Sequence, residues 1–174
     1  MPLPSLTLVL GGAASGKSKY AENLCFQTEK LRVYIATAQA FDDEMRAKVS
    51  DHRDMRGANW LTIEAPIDVS AALSGRSPSE IVLLDCATLW LSNVLLADMD
   101  VEKASDSFLA ALIACPAQVI VVSNEVGHGI VPDNALARQF RNAQGRLNQK
   151  LAEESALVVQ VIAGLPQTFK GTLP

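Results

Sequence analysis

Aromatic residues, histidine and cysteine are scarce in this chain of 174 residues. Phe, Trp and Tyr make up 5% of it, and there are two histidines and three cysteines. Cys25, Cys86 and Cys115 are far apart and form no C-x-x-C pair. Zinc sites need several ligands at short spacings, and disulfide scaffolds need a dense, even set of cysteines. The sequence therefore argues against both kinds of protein and predicts three reduced thiols.

The chain also lacks an unbroken hydrophobic run long enough to cross a membrane, which takes about 20 residues. Its longest apolar stretches, residues 81–97 and 108–122, are interrupted by Asp85 and Pro116 among others. The segment Met1-Pro-Leu-Pro-Ser5 has no basic region of the kind that starts a signal peptide. We therefore expect a cytoplasmic protein with no membrane span.

A strong excess of charge of one sign is absent too. Lys and Arg number 15 and Asp and Glu number 19, for a net charge of -4, and the basic residues are spread along the chain. Nucleic-acid-binding proteins concentrate Lys and Arg on one surface, so we expect no nucleic-acid partner. With 174 residues, 49% of them hydrophobic, the chain suits one domain spanning residues 1–174.

Short runs rich in Val, Ile and Leu alternate with segments of helical periodicity. The runs are typical of strands buried on both faces and cover residues 6–10, 33–36, 81–84, 119–122 and 157–162, with residues 60–64 as a candidate edge strand. The helical segments cover residues 17–30, 43–56, 87–97, 101–114 and 134–154. This alternation predicts an α/β fold with a mostly parallel central sheet flanked by helices. Ligands bind at the carboxyl ends of the strands in such sheets.

A glycine-rich motif, G-x-x-x-x-G-K-S, lies between the first predicted strand and the first predicted helix. Its residues are Gly11, Gly12, Ala13, Ala14, Ser15, Gly16, Lys17 and Ser18. In a phosphate-binding loop, main-chain N–H groups surround a phosphate, the lysine reaches the β- and γ-phosphates, and the hydroxyl ligates Mg²⁺. The alternative is a glycine-rich turn with a solvated lysine. The strand before the motif and the helix after it favour the phosphate loop.

A carboxylate at the end of another predicted strand complements the phosphate loop. Residues 81–85 read Ile-Val-Leu-Leu-Asp, an apolar strand that ends in Asp85. An acidic residue at a strand end helps to hold Mg²⁺ in nucleotide-binding proteins that have this loop. Asp85 could equally cap the helix that follows.

Residues 42–56 are dense in charged side chains. On a helix, Met45, Val49 and His52 share one face, which would shield His52 partly from water, and Arg53 and Arg56 follow within one turn. A neutral imidazole can attack phosphorus, and nearby cations favour the neutral form. The spacing fits a histidine at the edge of the core at least as well, so both interpretations stay open at this point.

The pattern of a GTPase is incomplete in this sequence. The guanine-reading motif N-K-x-D is absent, and the D-x-x-G match at residues 54–57 falls at the end of a predicted helix. A small-molecule kinase needs the phosphate loop, Mg²⁺ and cationic groups near the transferred phosphoryl group. The candidate cations are Arg46, Arg53, Arg56, Arg138, Arg141 and Arg146. Each of them, taken alone, fits a solvated helix residue better than a phosphate ligand.

Further motifs run along nearly the whole chain. They are Tyr34-Ile-Ala-Thr37, Asp42-Asp43-Glu44-Met45, His52-Arg53, Trp60-Leu-Thr-Ile-Glu64, Asp85-Cys86, Ser123-Asn124-Glu125-Val126-Gly127, Gly129-Ile-Val-Pro132, Arg138-Gln-Phe-Arg141 and Gly145-Arg-Leu-Asn148. With these motifs and the phosphate loop, the sequence resembles the bifunctional adenosylcobinamide kinase / adenosylcobinamide-phosphate guanylyltransferase family of cobalamin biosynthesis.

The resemblance implies a three-layer P-loop NTPase-like fold, a homotrimer and two activities. The first activity phosphorylates the aminopropanol hydroxyl of adenosylcobinamide with ATP or GTP. The second transfers GMP from GTP to that phosphate through a histidine that carries GMP, and His52 matches this histidine. The family's nucleotide-binding positions match residues 11–18, Ala36, Thr37, Ala38, Arg53, Asp54, Met55, Arg56, Glu64 and Asp85. Lys17 would act on the transferred phosphoryl group, and Ser18 and Asp85 would hold Mg²⁺.

Two positions depart from the family pattern. Many members have arginine in the phosphate loop where this chain has Ala14, and many have an apolar residue where it has His128. The missing arginine removes one phosphate contact and bears on nucleotide affinity rather than on the fold. Two other interpretations remain: a kinase without guanylyl transfer, and a GTP-binding regulatory protein that acts on no cobinamide.

Overall fold

The computed structural model describes residues 3–39 and 59–174 of the chain. The strands are β1 Leu6–Gly11, β2 Leu31–Ala36, β3 Trp60–Glu64, β4 Glu80–Asp85, β5 Gln118–Asn124, β6 Leu157–Ile162 and β7 Leu165–Lys170. The helices are α1 Lys17–Phe26, α2 Val69–Ser74, α3 Ala87–Leu96, α4 Val101–Ala114 and α5 Ala135–Glu154. The predicted helix 43–56, with His52, Arg53, Asp54, Met55 and Arg56, lies outside the described residues.

The seven described strands form one sheet in the order β3-β2-β4-β5-β1-β6-β7. Strands β1 to β6 run parallel, and β7 is antiparallel to β6. This arrangement confirms the predicted α/β fold with a mostly parallel sheet. Strand β3 lies at one edge, as its alternation of apolar and polar residues predicts.

Two hydrophobic cores cover the two faces of the sheet. On one face, Ala21 and Leu24 of α1 pack with Val9 of β1. On the other face, helices α2 to α5 pack on Leu8 and on alternate residues of the neighbouring strands. Successive side chains of a strand point to opposite faces, so strands buried on both sides need nearly continuous apolar sequence. The result is three layers: α1, the sheet, and α2 to α5.

The described elements differ from the predicted ones in three places, apart from shifts of one or two residues at the ends of other elements. Helix α1 ends at Phe26 rather than at residue 30, because the N–H and Oγ1 of Thr28 both donate to the Cys25 carbonyl, at 3.1 and 2.9 Å. Helix α2 was not predicted, since its six residues are too few to show a period. Strand β7 was not predicted either, because its residues are all exposed and show no alternation.

Candidate active site

The phosphate loop has the strand–loop–helix context that its motif requires. Strand β1 ends at Gly11 and helix α1 begins at Lys17. Gly16 has φ +91°, a left-handed conformation that favours glycine. A Cβ at Gly11 would overlap Ser15 Oγ and lie 2.8 Å from the Val161 carbonyl oxygen. Gly16 is therefore favoured by its backbone conformation, and Gly11 by the close packing of the atoms around it.

Lys17 and Ser18 occupy the first turn of α1, where main-chain N–H groups are free of helical partners. Lys17 Nζ donates to the Gly12 carbonyl at 3.3 Å, so its ammonium group lies against the loop. The helix N-terminus carries a partial positive charge that adds to this ammonium. Together they make this end of the sheet electropositive and suited to a polyphosphate.

Three of the predicted nucleotide-binding residues lie side by side at the carboxyl edge of the sheet. Ala36 at the end of β2 pairs with Glu64 of β3 on one side and with Asp85 of β4 on the other. Neighbouring strands are about 4.8 Å apart, so these three positions form a continuous row. Glu64 is exposed and Asp85 half-buried, and a groove of about 540 Å³ adjoins Glu64.

The row is fixed by a buried hydrogen-bond network around Thr37, which is fully buried. Thr37 Oγ1 accepts from the Cys86 N–H at 2.8 Å and donates to the Cys86 carbonyl at 2.7 Å. Asn93 Nδ2 donates to the carbonyls of Thr37 and Pro66, at 2.8 and 2.9 Å. The Thr37 hydroxyl is thus engaged within the protein, and this residue shapes the site by joining β2, β4 and α3.

Cys86, not Asp85, is the N-cap of α3. Its Sγ accepts from the Leu89 N–H at 3.4 Å, so the capping role that the sequence left open for Asp85 is wrong. The pKa of the Cys86 thiol is raised to about 11, chiefly by burial and also by the neighbouring Asp85 carboxylate, while the N–H groups of Leu89 and Thr88 and the Lys17 ammonium oppose the rise. The thiol stays protonated at neutral pH and is no nucleophile. The influence of both charges on one thiol indicates that Lys17 and Asp85 act on the same region.

A second buried network holds the end of β5 beside the phosphate loop. Ser123 Oγ donates to Asn148 Oδ1 at 2.6 Å, and Gln144 Nε2 donates to both of these oxygens at 2.9 Å. Asn148 Nδ2 donates to the Asn124 carbonyl at 3.1 Å, and the Glu125 N–H donates to the Gly11 carbonyl at 3.0 Å. Sequence reasoning assigned a role to Gly11 but none to Ser123, Asn124, Glu125, Gln144 or Asn148. The signal was available: two amides spaced i, i+4 on the apolar face of a helix.

Three of the six candidate cations, Arg138, Arg141 and Arg146, lie in the described part of the chain, and each contacts protein groups. Arg138 Nη1 donates to the carbonyls of Pro132 and Asp133 at 2.9 and 2.7 Å. Arg141 donates to the carbonyls of Gly127 and Ile130 at 2.7 and 3.2 Å, and Arg146 pairs with Glu102 at 3.4 Å. The contacts of Arg138 and Arg141 shape the loop after β5, in which His128 is exposed, whereas that of Arg146 joins α5 to α4. Arg46, Arg53 and Arg56 lie outside the described residues.

The donor set fits a magnesium ion that arrives with a nucleotide. Mg²⁺ binds hard oxygen ligands and often takes only one or two from the protein, the rest being phosphate oxygens and water. The Ser18 hydroxyl and the Asp85 carboxylate are such ligands, and both side chains are half-buried rather than sealed off. Within residues 3–39 and 59–174, no three His, Cys, Asp or Glu residues cluster as a resident metal site would need.

In the part of the chain that the structure describes, no helix combines the length and the apolar character needed to cross a membrane.

Comparison with known proteins gives a consistent result. Residues 7–169 match the model of a family described as cobinamide kinase / cobinamide phosphate guanyltransferase. The chain is 42% identical over 169 residues to the bifunctional adenosylcobalamin biosynthesis protein CobP of Pseudomonas aeruginosa, covering 94% of this chain and 96% of the relative. It is 41% identical over 181 residues to the bifunctional adenosylcobalamin biosynthesis protein CobU of Salmonella typhimurium, with 95% and 99% covered.

Solved structures with much lower identity share the fold. The flagellar accessory protein FlaH from Methanocaldococcus jannaschii has a TM-score of 0.53 at 13% identity, covering 99% of this chain and 80% of that protein. A protein from Pyrococcus horikoshii has a TM-score of 0.58 at 8% identity, with 99% and 89% covered. At these identities the likeness shows the P-loop NTPase-like fold alone.

Proposed function

Because the chain belongs to the cobinamide kinase / cobinamide phosphate guanyltransferase family, we propose that it phosphorylates the aminopropanol hydroxyl of adenosylcobinamide and then transfers GMP to the new phosphate. The chain is a bifunctional kinase and guanylyltransferase that acts on a small molecule. The observation that carries the detailed proposal is the phosphate loop with Lys17 and Ser18 at the start of α1, at the same sheet edge as Asp85.

In the kinase step, the oxygen of the aminopropanol hydroxyl forms a bond to the γ-phosphorus of ATP or GTP. The bond from the γ-phosphorus to the bridging oxygen breaks, and the nucleoside diphosphate leaves. Lys17 and the loop N–H groups stabilise the charge on the transferred group and on the leaving oxygens. Ser18 and Asp85 hold Mg²⁺, which supplies further neutralisation of the phosphate charge when bound.

In the guanylyl step, an imidazole nitrogen of His52 attacks the α-phosphorus of GTP and pyrophosphate leaves. A phosphate oxygen of adenosylcobinamide phosphate then displaces the histidine, which gives adenosyl-GDP-cobinamide and free His52. The covalent intermediate replaces one direct transfer between two anions with two displacements, the first by an imidazole and the second by the cobinamide phosphate. The match of residues 42–56 to the family's motifs supports this role for His52, with Arg53, Asp54, Met55 and Arg56 as neighbours of the nucleotide.

The row of Ala36, Glu64 and Asp85 at the carboxyl ends of the strands supports a binding position for the nucleoside part of the nucleotide. Ala36 ends β2, Thr37 and Ala38 follow it, and Glu64 ends the adjacent strand. An exposed carboxylate such as that of Glu64 accepts hydrogen bonds from a guanine edge or from ribose hydroxyls. We assign Ala36, Ala38 and Glu64 to the nucleoside part of the ligand, with the fully buried Thr37 holding them in place from within the protein, and Gly11 to Ser18 to the phosphates.

The first experiment is intact-protein mass spectrometry after incubation with GTP and Mg²⁺. We expect an acid-labile adduct of the mass of GMP on the wild type and on His128→Ala, and none on His52→Ala. The His128→Ala variant is the matched control because His128 is the second of the chain's two histidines. An adduct that survives in His52→Ala, or its absence from active wild type, would contradict the histidine intermediate.

A cobinamide phosphorylation assay then separates the two activities. Phosphorylated cobinamide without any GMP adduct would leave a kinase that transfers no guanylyl group. Nucleotide binding with neither product would leave a GTP-binding regulatory protein. Wild type should give both products, and Lys17→Ala should lose the kinase product.

We also propose a cytoplasmic homotrimer in which residues 1–174 form a single domain. The family resemblance supports the trimer, and the single described sheet supports the domain. Sedimentation equilibrium should give a mass three times that of the 18.6 kDa chain. A monomeric mass at micromolar concentration would rule the trimer out.

A further inference from the structure

The turn between β6 and β7 contacts the phosphate loop directly. The Gly164 N–H donates to the Ser15 carbonyl at 2.8 Å. A Cβ placed on Gly16 would lie 3.2 Å from Gly164 Cα, closer than a side chain comfortably allows. The β6–β7 turn therefore packs against the phosphate loop through main-chain atoms.

The contact extends along the hairpin to β6. A Cβ on Gly11 would lie 2.8 Å from the Val161 carbonyl oxygen, and a Cβ on Gly16 would lie 3.9 Å from Val161 Cγ1. Both motif glycines thus face the β6–β7 hairpin. The close approach gives these two positions a structural reason to be glycine, beside any contact with a ligand.

The hairpin fixes the direction of the Gly164 N–H. Ala163 and Gly164 have φ +52° and +80°, the pattern of a two-residue type I′ turn between paired Ile162 and Leu165. A Cβ on Gly164 would meet nothing within 4 Å. Space is therefore available at Gly164, and what matters there is the left-handed backbone that aims its N–H at the loop.

This hydrogen bond also orients the next N–H of the loop. In a planar trans peptide the C=O and the N–H point in opposite directions. Holding the Ser15 carbonyl toward the hairpin therefore turns the N–H of Gly16 away from it. Main-chain N–H groups that point together into a loop are what bind a phosphate.

We propose that Gly164 is a positioning residue of the nucleotide site: the β6–β7 turn sets the Ser15–Gly16 peptide so that the Gly16 N–H is presented to a phosphate. The proposal rests on the proposed function only in that the loop binds a nucleoside triphosphate. It assigns the C-terminal hairpin to the binding machinery, although no residue of β7 belongs to the phosphate-loop motif.

The test compares three variants by the Kd of a fluorescent nucleoside triphosphate with Mg²⁺, by KM and kcat in the kinase reaction, and by Tm. Gly164→Ala strains the turn and displaces its N–H, while Gly164→Asn keeps the N–H in a residue that tolerates positive φ. Gly171→Ala is the matched control: Gly171 also has positive φ, +78°, but lies beyond the far end of β7 against Ala156 and Leu157.

We expect Gly164→Ala to raise the nucleotide Kd and KM about fivefold, the effect of losing one net hydrogen bond, with kcat within twofold of wild type. Gly164→Asn should stay within twofold in all three quantities. Gly171→Ala should lower the Tm at least as much as Gly164→Ala and leave the Kd within twofold. This contrast separates positioning of the loop from general loss of stability.

An unchanged Kd in Gly164→Ala, or an equal rise in Gly171→Ala, would overturn the proposal. The binding measurement is independent of cobinamide. A wild type that binds nucleotide but phosphorylates no cobinamide would refute the proposed function and leave the role of Gly164 to be decided by the same Kd values.

Discussion

The side chain of Thr37 is bonded twice to the backbone of Cys86: its Oγ1 accepts from the Cys86 N–H at 2.8 Å and donates to the Cys86 carbonyl at 2.7 Å. Thr37 follows β2 and Cys86 follows β4, so one hydroxyl ties the ends of two neighbouring strands. Asp85 immediately precedes the tied residue. The position of the candidate magnesium ligand thus depends on a threonine that need not touch the ion.

Replacing Thr37 by valine should destabilise the fold by about 2 to 3 kcal/mol, because the N–H and C=O of buried Cys86 both lose a partner. The measurement is the free energy of unfolding in urea. Thr37→Ser keeps the hydroxyl and should lose less than half as much. Equal losses in the two variants would show that the methyl group contributes as much stability as the two hydrogen bonds, contrary to this expectation.

Gly11→Ala and Gly12→Ala should differ sharply in stability. A Cβ at Gly11 meets Ser15 Oγ and the Val161 carbonyl, whereas a Cβ at Gly12 meets nothing within 4 Å. We expect Gly11→Ala to cost about 2 kcal/mol or more through overpacking and Gly12→Ala to stay within about 0.5 kcal/mol. Thermal unfolding without nucleotide measures both, and a similar Tm for the two variants would contradict the close packing of Gly11.

Stability should fall at alkaline pH because of Cys25. The pKa of the Cys25 thiol is raised from 9.0 to about 12, chiefly by burial and also by the charge of Glu22, against an opposing effect of Arg32. The folded state keeps this proton more tightly than the unfolded state, so its contribution is complete below pH 9 and is lost as the pH rises toward 12. Urea unfolding at pH 8 and pH 10.5 should show the decline.

The matched variant is Cys25→Ala, which removes the titrating group from the same site. Its loss of stability between the two pH values should be smaller than that of the wild type, although its stability at pH 8 is lower because a buried side chain is truncated. Parallel pH dependences of the two proteins would assign the decline to other groups.

Asn148→Leu should destabilise the fold and weaken nucleotide binding together. The substitution leaves the buried Ser123 hydroxyl without its acceptor and the Asn124 carbonyl without its donor, at a cost of about 2 to 3 kcal/mol. Because Glu125 bonds to Gly11, the phosphate loop loses support as well. Asn142→Leu, at an exposed position of the same helix, should change neither quantity. Unchanged nucleotide affinity in Asn148→Leu would show that the hydrogen bonds around Ser123 and Asn148 do not support the phosphate loop.

Strand positions were predictable because parallel strands buried on both faces are nearly continuous in apolar residues, and the phosphate loop was predictable because its spacing is tied to one geometry. The ends of elements depend on single contacts such as that of Thr28 with Cys25, which no periodicity shows. Strand β7 was missed because it is exposed along its length and forms through its turn. The capping role of Cys86 was missed because the sulfur is an uncommon acceptor beside a carboxylate.

The parts of the site that sequence reasoning did not find are contacts between distant segments. Gly164 and Ser15 are neighbours in space because β6 lies next to β1, and Asn148 reaches Asn124 because α5 contacts the carboxyl end of β5. The i, i+4 spacing of Gln144 and Asn148 marks a polar pair on the helix, but no local pattern shows which distant residue either contact reaches. The sequence shows which groups are suited to bind phosphate, and the topology determines which distant backbone holds them in place.

The order of the strands also bears on how the protein is made. Strand β1, the first to leave the ribosome, lies between β5 and β6, which are among the last. Until about residue 162 has emerged, β1 lacks one of its two partners and the phosphate loop lacks the hairpin behind it. Most strand contacts are distant in sequence, a topology that folds slowly. Nascent chains should therefore acquire nucleotide affinity only after the β6–β7 hairpin has emerged from the ribosome.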